Sequence, residues 1–148
     1  MSNIIVQKFG GTSVGSVERI DAVADIIKNA SLSEKIVVVV SAMSGETNKL
    51  VSLAKHFGDN PDKREFDALV STGETISSAL LTMALHSKGV KARSFSATQI
   101  SMKTTSTYSK AKILDVDSNK IMSVIENDTI PIITGFQGVT ETGDITTL

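Results

Sequence analysis

Near the start of the chain, Lys8-Phe9-Gly10-Gly11-Thr12-Ser13 combines a cation, two glycines and two hydroxyls in one short run. Adjacent glycines let a backbone come close to an anion and aim N–H groups at the oxygens of a phosphate. Apolar residues at Val17, Ile20, Ala24 and Ile27, with Ser16 as a cap, predict a helix starting just beyond. Its positive end would face the same anion. Lys8 would add a mobile full charge suited to a transferring phosphoryl group, and Ser13 a hydroxyl. The run is neither Gly-x-x-x-x-Gly-Lys-Ser/Thr nor Gly-x-Gly-x-x-Gly. Spacing alone leaves two readings open, a phosphate loop or a plain strand-to-helix turn.

The elements that would position this run alternate between β-branched and helical patterns. Ile4 to Phe9 reads as a first strand, and the uninterrupted run Ile36 to Val40 as a central parallel strand covered on both faces. Leu50, Leu53, Ala54 and Phe57 mark a second helix stopped by Gly58-Asp59-Asn60-Pro61. Phe66 to Val70 begins a further helical patch. Ile76, Leu80, Met83 and Ala84 form the next stripe, ended by Gly89. Ala92 to Ala97 reads as a third strand, Ser101 to Ser109 as loop and Ile113 to Val116 as a short strand. Ser118 to Asn127 reads as a helix with Ile121, Val124 and Ile125 inward. Ile130 to Thr134 is the last clear strand, followed by a hairpin through Glu141-Thr142-Gly143-Asp144. The expected fold is α/β, a three-layer αβα sandwich around a mainly parallel sheet, with no internal domain boundary.

Composition narrows the function classes. The chain has 148 residues, is 41% hydrophobic and 21% charged, and carries a net charge of -1. A nucleic-acid binder would carry a basic stripe, whereas Lys and Arg here are scattered among acids, so no nucleic-acid partner is expected. With no cysteine, disulfides and Cys-ligated metal are excluded. The longest apolar run, Ile36 to Val40, is far below the ~20 residues of a spanning helix. Ile4 to Val6 is too short for a signal peptide. A soluble cytoplasmic protein is the expectation, with no membrane partner and no protein-bound metal.

In parallel sheets, ligands collect outside the carboxyl ends of the strands. The residues there are Lys8 to Ser13, then Ser41-Ala42-Met43-Ser44-Gly45-Glu46-Thr47, then Gly135-Phe136-Gln137-Gly138. Lys8 to Val14 resembles the opening signature of the aspartokinases, in the amino acid kinase family. Val40 to Asn48 resembles the family's second loop, Ser71-Thr72-Gly73-Glu74 its Gly-Glu element, and Gly135 to Gly138 its late Gly-Phe loop. The four motifs come in order and span essentially the whole chain.

The resemblance implies an ATP-dependent transfer of the γ-phosphoryl group to the β-carboxylate of L-aspartate. That would be the first step toward lysine, threonine and methionine. It implies that Lys8, Phe9, Gly10, Gly11, Ser13 and Ser41 hold or neutralise phosphates, Lys8 being the catalytic cation. Thr47, Glu74 and Phe136 would line the aspartate site, and Mg²⁺ would be carried mainly by the phosphates. From the residues alone, Thr47 could instead cap a helix before Leu50, Glu74 could favour a helix dipole, and Phe136 could be core. Gln99 to Tyr108 departs from the family in lacking its Gly and Asp.

The chain stops at Thr146-Thr147-Leu148, where family members continue into a Gly-rich loop, the nucleotide-binding half and ACT domains. The 148 residues are therefore expected to be the N-terminal portion of a catalytic domain, with little or no kinase activity alone, and to self-associate into a dimer or larger species. Two alternatives are a kinase for another carboxylate and a non-catalytic ligand-binding or self-associating fragment. The Phe-Gly-Gly-Thr-Ser run and Gly135 to Gly138 argue against the first.

Overall fold

A computed structural model describes residues 3–148. The sheet that organises it contains β1 (Ile4–Phe9), β2 (Lys35–Val40), β3 (Ala92–Phe95) and a later strand, Ile130–Thr134, all parallel. Between them lie α1 (Val17–Ala30), α2 (Glu46–Lys55), α3 (Lys63–Val70) and α4 (Thr72–Ser87). After β3 come β4 (Lys103–Thr104), β5 (Ile113–Asp115) and α5 (Ser118–Glu126), and Ile130–Thr134 is β6. Sheet order is β1-β2-β6-β3, which puts Ile36 to Val40 inside the sheet as the sequence required.

Because side chains alternate along a strand, the two faces of β2 serve two cores. Ile36, Val38 and Val40 join Ile20, Val23, Ala24 and Ile27 of α1, Leu81 and Leu85 of α4, and Ile130 and Ile132. Val37 faces the other way, with Phe95, Ile100, Ile125 and Ile133. Helices cover both faces, the three-layer α/β arrangement the pattern implies. Each fully buried Ile or Leu here contributes about 1.5–3 kcal/mol. Ser16 caps α1 as expected, its hydroxyl accepting from the Arg19 amide at 3.2 Å. Gly89 turns left-handed at φ 75 just past α4, and the hairpin at Gly143 joins β7 (Gln137–Val139) to β8 (Ile145–Thr147).

The structure corrects four expectations. A second, mixed sheet, β5-β4-β7-β8, stands beside the first, and β4 lies inside the segment expected to be loop. The stripe chosen on α4 is not its buried face: Ile76 and Met83 are exposed, while Ser77, Ser78, Leu81, Thr82 and Leu85 are buried. Those hydroxyls can be buried because each returns a hydrogen bond to a backbone carbonyl, Ser78 to Thr75, Thr82 to Ser78 and Ser77 to Ser41. The second helix is shorter than its apolar stripe: on α2, Leu50 and Ala54 are buried and Leu53 faces solvent, while Phe57 lies past its end at 89% exposure. Thr47 is not a helix cap, since Gly45 holds that position at φ 83 and Thr47 lies inside α2.

Two buried polar side chains tie α3 and α4 to the second sheet. Asp67 accepts from the amide and hydroxyl of Ser109 and from the amide and hydroxyl of Thr147, all between 2.8 and 2.9 Å. Gln137 reaches Ser71 and Thr75. The stretch Lys63–Ser87 is long and apolar enough by composition to cross a membrane, yet half of its most apolar window is buried in this domain. Its buried positions include Asp67 and Glu74.

Candidate active site

β1 and β2 end side by side, with Phe9 paired to Val40, so the loops that leave them must run together. The Ser41 amide donates to the Phe9 carbonyl at 3.0 Å and the Ser44 amide to the Gly11 carbonyl at 3.1 Å. This close approach is why Gly11 has no side chain, for a Cβ there would stand 2.9 Å from the Ala42 carbonyl oxygen. The third motif meets the same residue. A Cβ on Gly73 would lie 2.8 Å from that of Ala42, and the Ala42 amide donates to Glu74 Oε1 at 3.2 Å. Ala42 is the point on which the first three motifs converge.

Phe136 enters from the end of β6 through a left-handed backbone at φ 64. Such a conformation is uncommon for a bulky residue and costs on the order of 1–3 kcal/mol unless its surroundings enforce it. Its carbonyl accepts from the Leu148 amide at 3.0 Å. The result is a cavity of about 530 Å³ lined by Lys8, Gly11, Ser41, Thr47, Glu74 and Phe136, together with Ala42, Met43, Ser44, Gly45 and Leu148. Phe136 is 38% exposed, which sets aside its reading as core packing.

Three expected site residues are not among the lining. Phe9 packs its half-buried side chain against the core, and its carbonyl accepts from the Ser41 amide. Gly10 lies on the open side, with no atom within 4 Å of where a Cβ would be. Ser13 is half-buried, and its amide closes the turn onto the Gly10 carbonyl. Among the described residues, the Gly11 and Thr12 amides have no hydrogen-bond partner. Open space at Gly10, the free amides and the start of α1 offer N–H groups suited to phosphate oxygens.

Glu74 supplies the opposite charge. It is 3% exposed at the first turn of α4. Burial pushes its carboxyl above the ordinary glutamate value, against the opposing effect of the Ala42 amide. Oε2 is buried with no hydrogen-bond partner among the described residues. A buried carboxylate oxygen left unpaired is costly, and an ammonium in the cavity would relieve it. Among the described residues no group of three or more His, Asp or Glu could hold a metal. Both histidines lie away from the site, His56 just past α2 and His86 against the Ala92 carbonyl.

Ala42, Met43, Ser44, Gly45 and Gly73 were visible only as parts of the motifs, without individual roles. Their signal is the crowding of small residues where two loops and a helix start must touch.

Residues 3–148 match the model of the amino acid kinase family. An aspartate kinase of Pseudomonas putida is 51% identical over 146 residues, 98% of this chain and 36% of that protein. An aspartokinase of Geobacillus stearothermophilus matches at the same identity and the same coverage. The chain thus spans about a third of the length of the curated relatives it matches. Among solved structures, E. coli aspartokinase III in complex with aspartate and ADP superposes with a TM-score of 0.87 at 23% identity, covering 99% of this chain and 43% of that one. Aspartate kinase from Synechocystis superposes at 0.81 with 40% identity, covering 99% of this chain and 24% of that one.

Proposed function

The chain belongs to the amino acid kinase family, and we propose that it carries the aspartate side and the phosphate loop of an aspartate kinase. The observation that carries this reading is the unpaired, buried Oε2 of Glu74 in a cavity that also holds Lys8. One end is built for an ammonium, the other for anionic oxygens. An amino acid with a second carboxylate fits between them.

In this reading Glu74 takes the α-ammonium of L-aspartate, and Phe136 and Thr47 close the cavity around its short side chain. The β-carboxylate then attacks the γ-phosphorus of ATP, a P–O bond forms, and the bond to the ADP oxygen breaks. A carboxylate with a reference pKa of about 3.9 is already ionised at neutral pH and needs no general base, consistent with a cavity lined by no histidine. The barrier is the approach of two anions, so catalysis rests on positioning and charge. Lys8, Ser41 and the Gly10 to Ser13 backbone neutralise the phosphates. Mg²⁺ borne by the nucleotide would add positive charge between them.

The function would then belong to a protein that contains these residues as the N-terminal portion of its catalytic domain, a reading supported by relatives of which the chain spans about a third. The outer edge of β1, with Ile4 and Val6 exposed, supports a sheet that continues beyond it. In the 148-residue chain alone, the same exposed apolar surface would favour self-association. A reaction that draws on ATP would fit the cytoplasm, where it would be the first step toward lysine, threonine and methionine.

The test is a chimaera in which residues 1–148 replace the corresponding third of the Pseudomonas putida relative, assayed by hydroxylamine trapping of the acyl phosphate. Turnover with L-aspartate and none with acetylglutamate is the expected result. A correctly folded chimaera that phosphorylates another carboxylate instead would overturn the proposal.

A further inference from the structure

Gln137 lies next to the cavity but does not line it, and its amide has no spare capacity. It is 3% exposed. Oε1 accepts from the Thr134 hydroxyl at 2.8 Å and from the Ala97 amide at 3.4 Å. Nε2 donates to the Ser71 carbonyl at 2.6 Å and to the Thr75 hydroxyl at 3.1 Å. Two acceptor sites and two donors is all that a carboxamide offers, and each is used on a different residue. An apolar side chain would fill this space; a saturated amide also fixes direction.

The partners show what is fixed. Ser71, the residue between α3 and α4, and Thr75, in the first turn of α4, lie on either side of Glu74 in the chain. Phe136 precedes Gln137 and is held in its left-handed conformation at φ 64. Gln137 also pairs with Thr147 across the β7–β8 ladder, and Thr147 donates twice to Asp67 of α3. The α3–α4 junction and the base of the hairpin are therefore joined at two points, forming a closed ring of hydrogen bonds. Glu74 projects from one side of the ring and Phe136 from the other, both into the same cavity.

We propose that Gln137 is a positioning residue that sets Phe136 against Glu74, so that the two grip one small ligand. The assignment rests on the aspartate reading for the identity of that ligand, though not for the geometry. Without the amide, the left-handed turn at Phe136 and the start of α4 drift independently, and the cavity loses its fixed width.

The test uses the 148-residue chain with three variants: Gln137→Met, near in size but without hydrogen bonds; Thr75→Val, which removes one of the four bonds; and Leu85→Ala, a core truncation remote from the ring. Each is measured well below its own unfolding midpoint, so that every sample is folded. Gln137→Met is expected to weaken L-aspartate binding about tenfold or more and Thr75→Val about twofold to fivefold, by the loss of one or several hydrogen bonds. Leu85→Ala should stay within about twofold. A Gln137→Met affinity within about twofold of the parent, or a loss no larger than that of Leu85→Ala, overturns the proposal. The second readout needs no ligand: the ¹³C titration of the Glu74 carboxyl and the Phe136 ring resonances. Both should move in Gln137→Met and stay in place in Leu85→Ala; if they do not move, the assignment fails. A parent chain that does not bind aspartate while these signals shift would sink the aspartate reading and leave Gln137 as assigned. If Gln137→Met does not fold, Thr75→Val carries both readouts, and no change in either overturns the proposal.

Discussion

Replacing Gly73 by alanine should destabilise the protein, although helix propensity alone argues for the opposite. Gly73 lies in the first turn of α4 with a helical backbone, where alanine is favoured over glycine by about 1 kcal/mol. The added Cβ would stand 2.8 Å from the Cβ of Ala42, against about 3.5–4.0 Å for carbons in contact. Neither atom has a rotamer to move, so the backbone must separate by about 1 Å. The Glu74 Oε1 to Ala42 amide bond, already 3.2 Å, would not survive that. Overpacking costs about 1–3 kcal/mol and the loss of a bond to a charged group about 1.5–3 kcal/mol. Set against propensity, a net loss of roughly 2–5 kcal/mol is expected. Urea unfolding followed by far-UV circular dichroism would read this as a lower midpoint with an unchanged slope. A Gly73→Ala variant at or above parent stability would refute the claim that α4 meets the Ser41–Ser44 loop at this contact.

Gly10→Ala is the contrasting case. With nothing near its Cβ, stability should change by no more than about 0.5 kcal/mol, while ATP binding by the chimaera weakens; a strongly destabilised variant would contradict the open-loop geometry. Asp67→Leu removes the acceptor of the amides and hydroxyls of Ser109 and Thr147 together, and should cost roughly 3 kcal/mol or more by urea unfolding. Lys8→Met should lower turnover of the chimaera by about 10²–10³ with the fold intact, as expected for loss of a charge aimed at the transferring group. Because burial raises the Glu74 carboxyl above its ordinary value, the folded state holds that proton more tightly than the unfolded chain. Stability should then fall as pH rises from the ordinary value through the raised one, and Glu74→Gln should abolish that fall.

The parallel sheet was legible because Ile36 to Val40 is apolar at every position, a pattern that only a strand covered on both faces satisfies. The helix Val17–Ala30 was legible from its stripe and its serine cap. The second sheet was legible only in pieces, β5 and the hairpin at Gly143; β4, with two residues, is too short to show a period, and nothing local says that these strands pair. The buried face of α4 was misread for a chemical reason: a hydrophobicity stripe counts Ser77, Ser78 and Thr82 as polar, whereas their hydroxyls are already satisfied by the backbone. At the site, residue types revealed the glycines, the lysine and Glu74. They could not reveal that Phe9 turns inward, since strand alternation assigns a face only once the sheet order is known. Asp67, and the role of Gln137 within its motif, were missed because their partners are 40 to 80 residues away in most cases and belong to no local pattern.

The central claim is that Glu74 holds the ammonium of a small dicarboxylic amino acid, and calorimetric titration of L-aspartate into this chain tests it most directly. Saturable binding near neutral pH is expected, weakened about tenfold to a hundredfold by Glu74→Gln through the loss of a charge-assisted hydrogen bond. Binding that Glu74→Gln leaves unchanged, or no saturable binding to the folded parent chain, would contradict it.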